Sequence, residues 1–185
     1  MLPADSVATL AVVCKRDGPG RLPRADRPSI GAGYAGATAA LAVAVMVALW
    51  MSVFHVLVGP FLFGHVAWAV AALAALPLVI PAAFVSGTVV WRVLPNSVPW
   101  FGAVAGLLAT LGTYVVSLAV VFLLIVGAQV IGGLGSGAEP VLFDALLITA
   151  VVGAYAVITT GWLVFPIGCL SGAIYERARG VSVDR

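Results

Sequence analysis

Residues 33–58 read GYAGATAALAVAVMVALWMSVFHVLV, a stretch without a single Asp, Glu, Lys or Arg. It is part of an uncharged run between Ser29 and Trp91, and two further uncharged runs cover 93–138 and 145–175. A helix needs about 20 apolar residues to cross a hydrocarbon core of about 30 Å. The first run is therefore long enough for two crossings, and each of the others for one.

The composition of the whole chain points the same way. Of its 185 residues, 63% are hydrophobic and only 9% are charged, and the mean hydropathy is +1.18. A soluble domain carries about 25% charged residues to keep its surface wettable. The net charge of +2 is too small to attract nucleic acid. We therefore predict an integral membrane protein whose first partner is the lipid bilayer, with no nucleic-acid partner.

The uncharged runs do not alternate apolar with polar residues, as the strands of a membrane barrel would. We predict an all-α membrane protein with four transmembrane helices in an up-down bundle. The first run is interrupted at Gly59-Pro60 and at Gly64, which separates its two helices. The predicted helices are about 33–58, 63–93, 99–131 and 140–175, within a transmembrane domain of residues 30–176 between a disordered basic tail (1–29) and a C-terminal tail (177–185).

The positive charges set the orientation. All nine Lys and Arg residues fall on one side of a four-helix zigzag, and an excess of such residues marks the cytoplasmic side. We therefore predict a multi-pass protein of the cytoplasmic membrane with both termini in the cytoplasm. The main determinants precede helix 1, lie in the loop between helices 2 and 3, or follow helix 4: Arg24, Arg27, Arg92, Arg177 and Arg179.

The two halves of the chain resemble each other. Residues 78–92 aligned with 163–177 are identical at six of fifteen positions, including Pro81/Pro166 and Arg92/Arg177, at an offset of 85. A weaker match aligns Ala35-Gly36 with 105–106 at an offset of 70. The pattern predicts two helical hairpins in parallel repeat, related by a pseudo-twofold axis along the membrane normal. The alternative is convergent composition of apolar helices.

Prolines and small residues mark two further features of the helices. Pro77, Pro81 and Pro166 predict helix kinks, because a proline removes a backbone donor. Such kinks can open a cavity or hinge, but proline is also ordinary in membrane helices. Gly102 and Gly106 form a G-x-x-x-G face, and Gly153 lies in a similar row on helix 4. These faces predict close helix packing, either within the chain or in a homodimer.

Polar residues within the spans are few. His55 and His65 lie near the outer ends of helices 1 and 2, where two imidazoles could ligate a haem or a metal ion. No third ligand stands nearby, so the alternative is a pair of interfacial histidines. A possible outer polar cluster comprises Gln129, Glu139 and Asp144, although capping of helix 4 also explains the acids.

The sequence contains no catalytic arrangement of the Ser-His-Asp or Cys-His kind, and we predict that the protein is not an enzyme and has no cofactor. The favoured function is an accessory subunit or small oligomer that acts through helix packing with a membrane-protein partner or with its own copies. One alternative is a permease or channel component with proline-kinked helices 2 and 4. A second alternative is a membrane protein that binds haem or a metal ion through two histidines.

Overall fold

The computed structural model describes residues 22–25, 27–58, 64–95, 99–132 and 138–183. These residues form five helices and confirm the all-helical prediction. The helices are α1 (Pro28–Val58), α2 (Gly64–Ala74), α3 (Leu76–Val93), α4 (Phe101–Ile131) and α5 (Ala138–Val183). Four stretches are long and apolar enough to cross a membrane, namely Pro28–Phe54 of α1, Leu76–Val93 (α3), Phe101–Ile131 (α4) and Pro140–Ala178 of α5.

The helix bounds differ from the predicted ones at the charged ends. α1 begins at Pro28 rather than at residue 33, because proline at the first helical position loses no hydrogen bond. α5 runs from Ala138 to Val183 instead of 140–175. Glu, Arg and Ala, which follow Tyr175, favour the helix as well as apolar residues do. The end of an apolar run therefore marks the point where the surroundings of the helix become polar. It does not mark the end of the helix.

The predicted single helix 63–93 is divided at Ala75 into α2 and α3. The Ala75 carbonyl accepts hydrogen bonds from the N–H groups of both Leu78 (3.0 Å) and Val79 (2.9 Å), a tightened turn. Pro77 lies in the first turn of α3 and lacks an N–H, so the Leu73 carbonyl loses its helical donor. By contrast, α3 and α5 continue through Pro81 and Pro166.

The four long helices form a ring in the order α1, α3, α4, α5, in which α5 closes on α1 and α2 packs against α1. Neighbours in the ring are antiparallel, because the start of α1 lies beside the end of α3 and the start of α4 beside the end of α5. Arg27, Arg92 and Arg177 therefore lie at one end of the bundle, which we call the basic end. Large apolar side chains cover the exterior: Ile158 is 76% exposed and Val115 67%.

The packing between helices follows the predicted repeat. A methyl group placed on Gly36 would lie 3.2 Å from the Ala83 carbonyl oxygen, and one placed on Gly106 would collide with the Gly168 carbonyl. These two contacts are related by the offsets of 70 (α1 to α4) and 85 (α3 to α5). Gly87 likewise approaches the Ala32 carbonyl, and Gly172 approaches the Gly102 carbonyl. In each hairpin, the two long helices are therefore joined near the basic end by equivalent close contacts at glycine, which we call the glycine seams.

Candidate functional site

A cavity of about 320 Å³ lies between the helices of the ring and is the candidate functional site. Its lining extends along α4 from Gly106 to Val121, a rise of about 22 Å at roughly 1.5 Å per residue. The volume is near the lower limit of small-molecule sites, about 300–1,000 Å³. Spread over that length, the cavity is narrow and elongated, and it runs parallel to the helices.

The cavity exists because the inward faces of the helices carry small side chains. Ala35, Ala39 and Ala40 on α1 face the same space as Ala109 on α4 and Ala156 on α5. The glycine seams fix how closely the helix backbones approach near the basic end. Farther along the bundle, alanine and valine side chains are too short to fill the centre of the ring, although protein interiors are normally close-packed.

Aromatic side chains close the basic end of the cavity. The ring of Trp91 makes edge contacts with Phe101 and Tyr175, at centroid distances of 4.7 and 5.0 Å. The Tyr175 hydroxyl donates a hydrogen bond of 2.9 Å to the Pro28 carbonyl at the start of α1. Trp91 of α3 and Tyr175 of α5 line the cavity at this end. Their contacts connect α3 to α4 through Phe101 and α5 to α1 through the Pro28 carbonyl.

The two hairpins contribute walls of different polarity. The lining positions on α1 and α4 correspond to each other at the offset of 70, but α1 supplies aliphatic side chains where α4 supplies hydroxyl groups. Ala75 and Thr160, which correspond to each other at the offset of 85, differ in the same way: the first hairpin has an aliphatic side chain and the second has a hydroxyl group. The corresponding pairs on α1 and α4 are Ala40 and Thr110, Val43 and Thr113, Ala44 and Tyr114, and Val47 and Ser117.

The side of the cavity formed by α4 and α5 carries the hydroxyl groups, and we call it the polar wall. Most of its hydroxyl protons are donated to backbone carbonyls. Thr110 donates to the Gly106 carbonyl at 2.9 Å, and Thr113 donates to the Ala109 carbonyl at 2.8 Å. Such bonds to the preceding turn are the usual way in which a helical threonine satisfies its proton. Ser117 differs, because its buried oxygen has no hydrogen-bond partner within the described parts of the chain.

Tyr114 and Thr160 join α4 to α5 at the middle of the polar wall. The two hydroxyl oxygens lie 2.7 Å apart. Thr160 donates its single proton to the Ala156 carbonyl, also at 2.7 Å. With the Thr160 proton engaged in that bond, Tyr114 is the donor between the two side chains, and its own oxygen keeps lone pairs that can accept another hydrogen bond.

Glu176 has a role that the sequence did not indicate. Its carboxylate accepts a hydrogen bond of 2.8 Å from the Gly102 N–H in the first turn of α4. Trp100, which precedes that turn, has a left-handed backbone (φ 58°) and offers no side-chain cap. The free N–H groups of a helix N-terminus attract negative charge. Glu176 thus caps α4 from α5, across 74 residues of sequence.

The predicted haem or metal ligands stay a prediction. His55 and His65 belong to α1 and α2, but their side chains lie outside the described residues. Among the side chains that the structure does describe, no group of three or more His, Cys, Asp or Glu could hold a metal ion.

The predicted outer polar cluster also stays a prediction. Gln129 is half-buried near the end of α4, whereas Asp144 is exposed near the start of α5. The side chain of Glu139 lies outside the described residues.

The predicted packing glycines pack against another helix of the same chain. Gly102 and Gly106 face Gly172 and Gly168 of α5, and a methyl group on Gly153 would meet the Leu118 side chain at 2.8 Å.

The predicted topology determinants lie at the ends of the long helices. Arg24 and Arg27 precede α1, Arg92 lies in the last turn of α3 and Arg177 is exposed on α5. Arg179 belongs to α5, but its side chain lies outside the described residues.

Comparison of the chain with protein-family models, with curated proteins and with solved structures finds no match.

Proposed function

We propose that this protein takes a neutral, largely apolar molecule into the cavity between its four long helices. The observation that carries the proposal is the elongated 320 Å³ cavity, lined mainly by alanine, glycine and valine within an apolar bundle. Burial of an apolar molecule needs no charged partner, and none of the described residues that line the cavity is charged. Among the predicted functions, this one belongs with the permease alternative.

The orientation in the membrane is part of the proposal. The basic end would face the cytoplasm, because lysine and arginine are retained on that side. Cysteine substitutions at Val93 (77% exposed) and Ile131 (88% exposed) test it in intact cells, after replacement of Cys14 and Cys169 by alanine. A membrane-impermeant maleimide should label the variant at 131 and spare the variant at 93 until the cells are opened. The reverse pattern would contradict the proposed orientation.

The binding experiment uses the full chain in lipid nanodiscs and tritiated dodecane as the probe, with empty nanodiscs as the blank. We expect saturable binding that reaches about one molecule per protein. Ala109→Phe should abolish it, because the larger ring would occupy the lined space at that position. Val115→Phe is the matched control, since Val115 is 67% exposed on the same helix.

Circular dichroism and gel filtration check that both variants fold. If Ala109→Phe does not fold, Ala39→Leu narrows the cavity from α1 and serves the same purpose. Binding of dodecane no greater than in empty nanodiscs would sink the proposal, and so would equal binding by the Ala109→Phe and Val115→Phe proteins.

The accessory-subunit or small-oligomer role stays a prediction. The small-residue rows that suggested it are used within the chain, where Gly106 faces Gly168 and Gly153 faces Leu118. A defined homo-oligomer or a co-purified membrane protein in mild detergent would support that role in addition to the cavity. Haem binding through His55 and His65 is tested by a Soret band in the purified protein, lost in His55→Ala.

A further inference from the structure

The polar wall of the cavity restricts the chemistry of a molecule that would occupy it. Tyr114 is the central residue, and its hydroxyl oxygen lies 2.7 Å from the Thr160 oxygen. The pseudo-equivalent pair on the other hairpin is Ala44 and Ala75, which also lines the cavity but has no polar side-chain atom. At this level, the α4–α5 side of the cavity carries a pair of hydroxyl groups where the other hairpin carries two alanines.

The position of the protons decides what this site can recognise. Thr160 donates to the Ala156 carbonyl, and Tyr114 donates to Thr160. Thr113, one residue earlier on α4, donates to the Ala109 carbonyl. With these protons engaged, the Tyr114 oxygen offers lone pairs and no proton. It is complementary to a group that donates a hydrogen bond, such as a hydroxyl.

We infer that the cavity binds a long-chain alcohol, whose hydroxyl group donates to the Tyr114 oxygen while its hydrocarbon chain lies along the aliphatic wall of α1. This inference rests on the proposed function and specifies its ligand. The narrow shape of the cavity suits a single chain. Carboxylates, lysine and arginine are absent from the lining in the part of the chain that the structure describes, so a charged head group has no partner among these residues.

Three probes of equal chain length separate the possibilities: 1-dodecanol, methyl dodecyl ether and dodecane. The alcohol can donate and accept a hydrogen bond, the ether can only accept, and the alkane can do neither. Each competes against tritiated dodecane for the full-length protein in nanodiscs, and affinities are corrected for partition into empty nanodiscs. We expect the alcohol to bind roughly 2- to 10-fold more tightly than the alkane, the gain of one net hydrogen bond. In the Ser117→Ala protein, which lacks the hydroxyl of this wall that has no hydrogen-bond partner among the described residues, the ether should bind no better than the alkane.

Two variants test the proton positions. Tyr114→Phe removes the acceptor and should bring the affinity ratio of alcohol to alkane, measured on the same protein, to about one. Thr160→Val leaves Tyr114 without its acceptor, so the tyrosine proton becomes free to donate, and the ether should then bind more tightly than the alkane. Tyr155→Phe is the matched control, because Tyr155 lies on α5 outside the cavity lining and stacks on Trp68 at 4.9 Å.

The outcomes separate the inference from the proposed function. If dodecane binds but the alcohol has no advantage, or if Tyr114→Phe keeps that advantage, the inference is overturned and the cavity proposal stands. An ether that equals the alcohol on the Ser117→Ala protein would also overturn it, because Tyr114 would then be the donor. If none of the three probes binds above the blank, the proposed function itself fails.

Discussion

At the scale of single residues, glycine decides how closely the helices approach. The carbonyl of Gly168 lies where a methyl group on Gly106 would be, and the carbonyl of Gly102 lies where one on Gly172 would be. The sequence predicted a small-residue face on helix 3 from its spacing, but it could not identify the partner helix. That identity depends on how each helix is rotated within the ring, which the periodicity of one helix does not determine.

The seam at Gly106 makes a sharp prediction about stability. Gly106→Ala should lower the free energy of unfolding by about 1–3 kcal/mol, because the new methyl group forces α4 and α5 apart. Gly127→Ala on the same helix is the control, since a methyl group there meets no atom of the described residues within 4 Å. Unfolding of the protein in mixed micelles by increasing SDS measures both. Equal stability of the two variants would show that the seam is not close-packed.

Glu176 shows the limit of sequence reasoning at this scale. A carboxylate just past an apolar run is typical of a solvated helix end, and nothing in its neighbourhood indicates a partner. The hydrogen bond to the Gly102 N–H arises only because α5 lies beside the start of α4. Long-range caps of this kind follow from tertiary packing, whereas caps within one helix can be predicted from spacing.

At the scale of helices, the length of the apolar runs predicted the number of elements but not their interruptions. All three prolines of the second and fourth predicted helices were expected to produce kinks. The helix is interrupted beside Pro77. Kinks at Pro81 and Pro166, through which α3 and α5 continue, stay a prediction. Pro77 lies in the first turn of α3, where a missing donor is tolerated, and the chain can begin a new helix there.

Replacement of Pro77 should therefore change the geometry of the second span. In Pro77→Ala, the new N–H can bond to the Leu73 carbonyl, and α2 and α3 should merge into a straighter helix. Spin labels at Val66 and Val89, both exposed, report the change as a longer distance in pulsed electron resonance. The cysteine-free protein described above is the background. Pro81→Ala provides the comparison, because α3 already continues through Pro81, and a larger change there would contradict this account.

At the scale of the whole molecule, the sequence alignment predicted the repeat, and equivalent glycine contacts follow it in both hairpins. The cavity itself was not predictable from the sequence. Its existence depends on α5 closing the ring against α1, and on small residues from every helix facing the same space. The different polarity of the two walls becomes visible only when the aligned positions, such as Ala44 and Tyr114, are known to face one cavity.

Because each hairpin has a glycine seam of its own, each can form without the other, and the packing of α3 on α4 and of α5 on α1 joins the two. A gene cut between the codons for residues 95 and 99 would yield two fragments, each with two spans and its own interhelical seam. We expect the fragments to reassemble when they are produced together, so that an affinity tag on one recovers the other. Gly172→Leu in the second fragment should prevent that fragment from forming its hairpin, and recovery should fall, whereas Gly127→Leu should leave it unchanged.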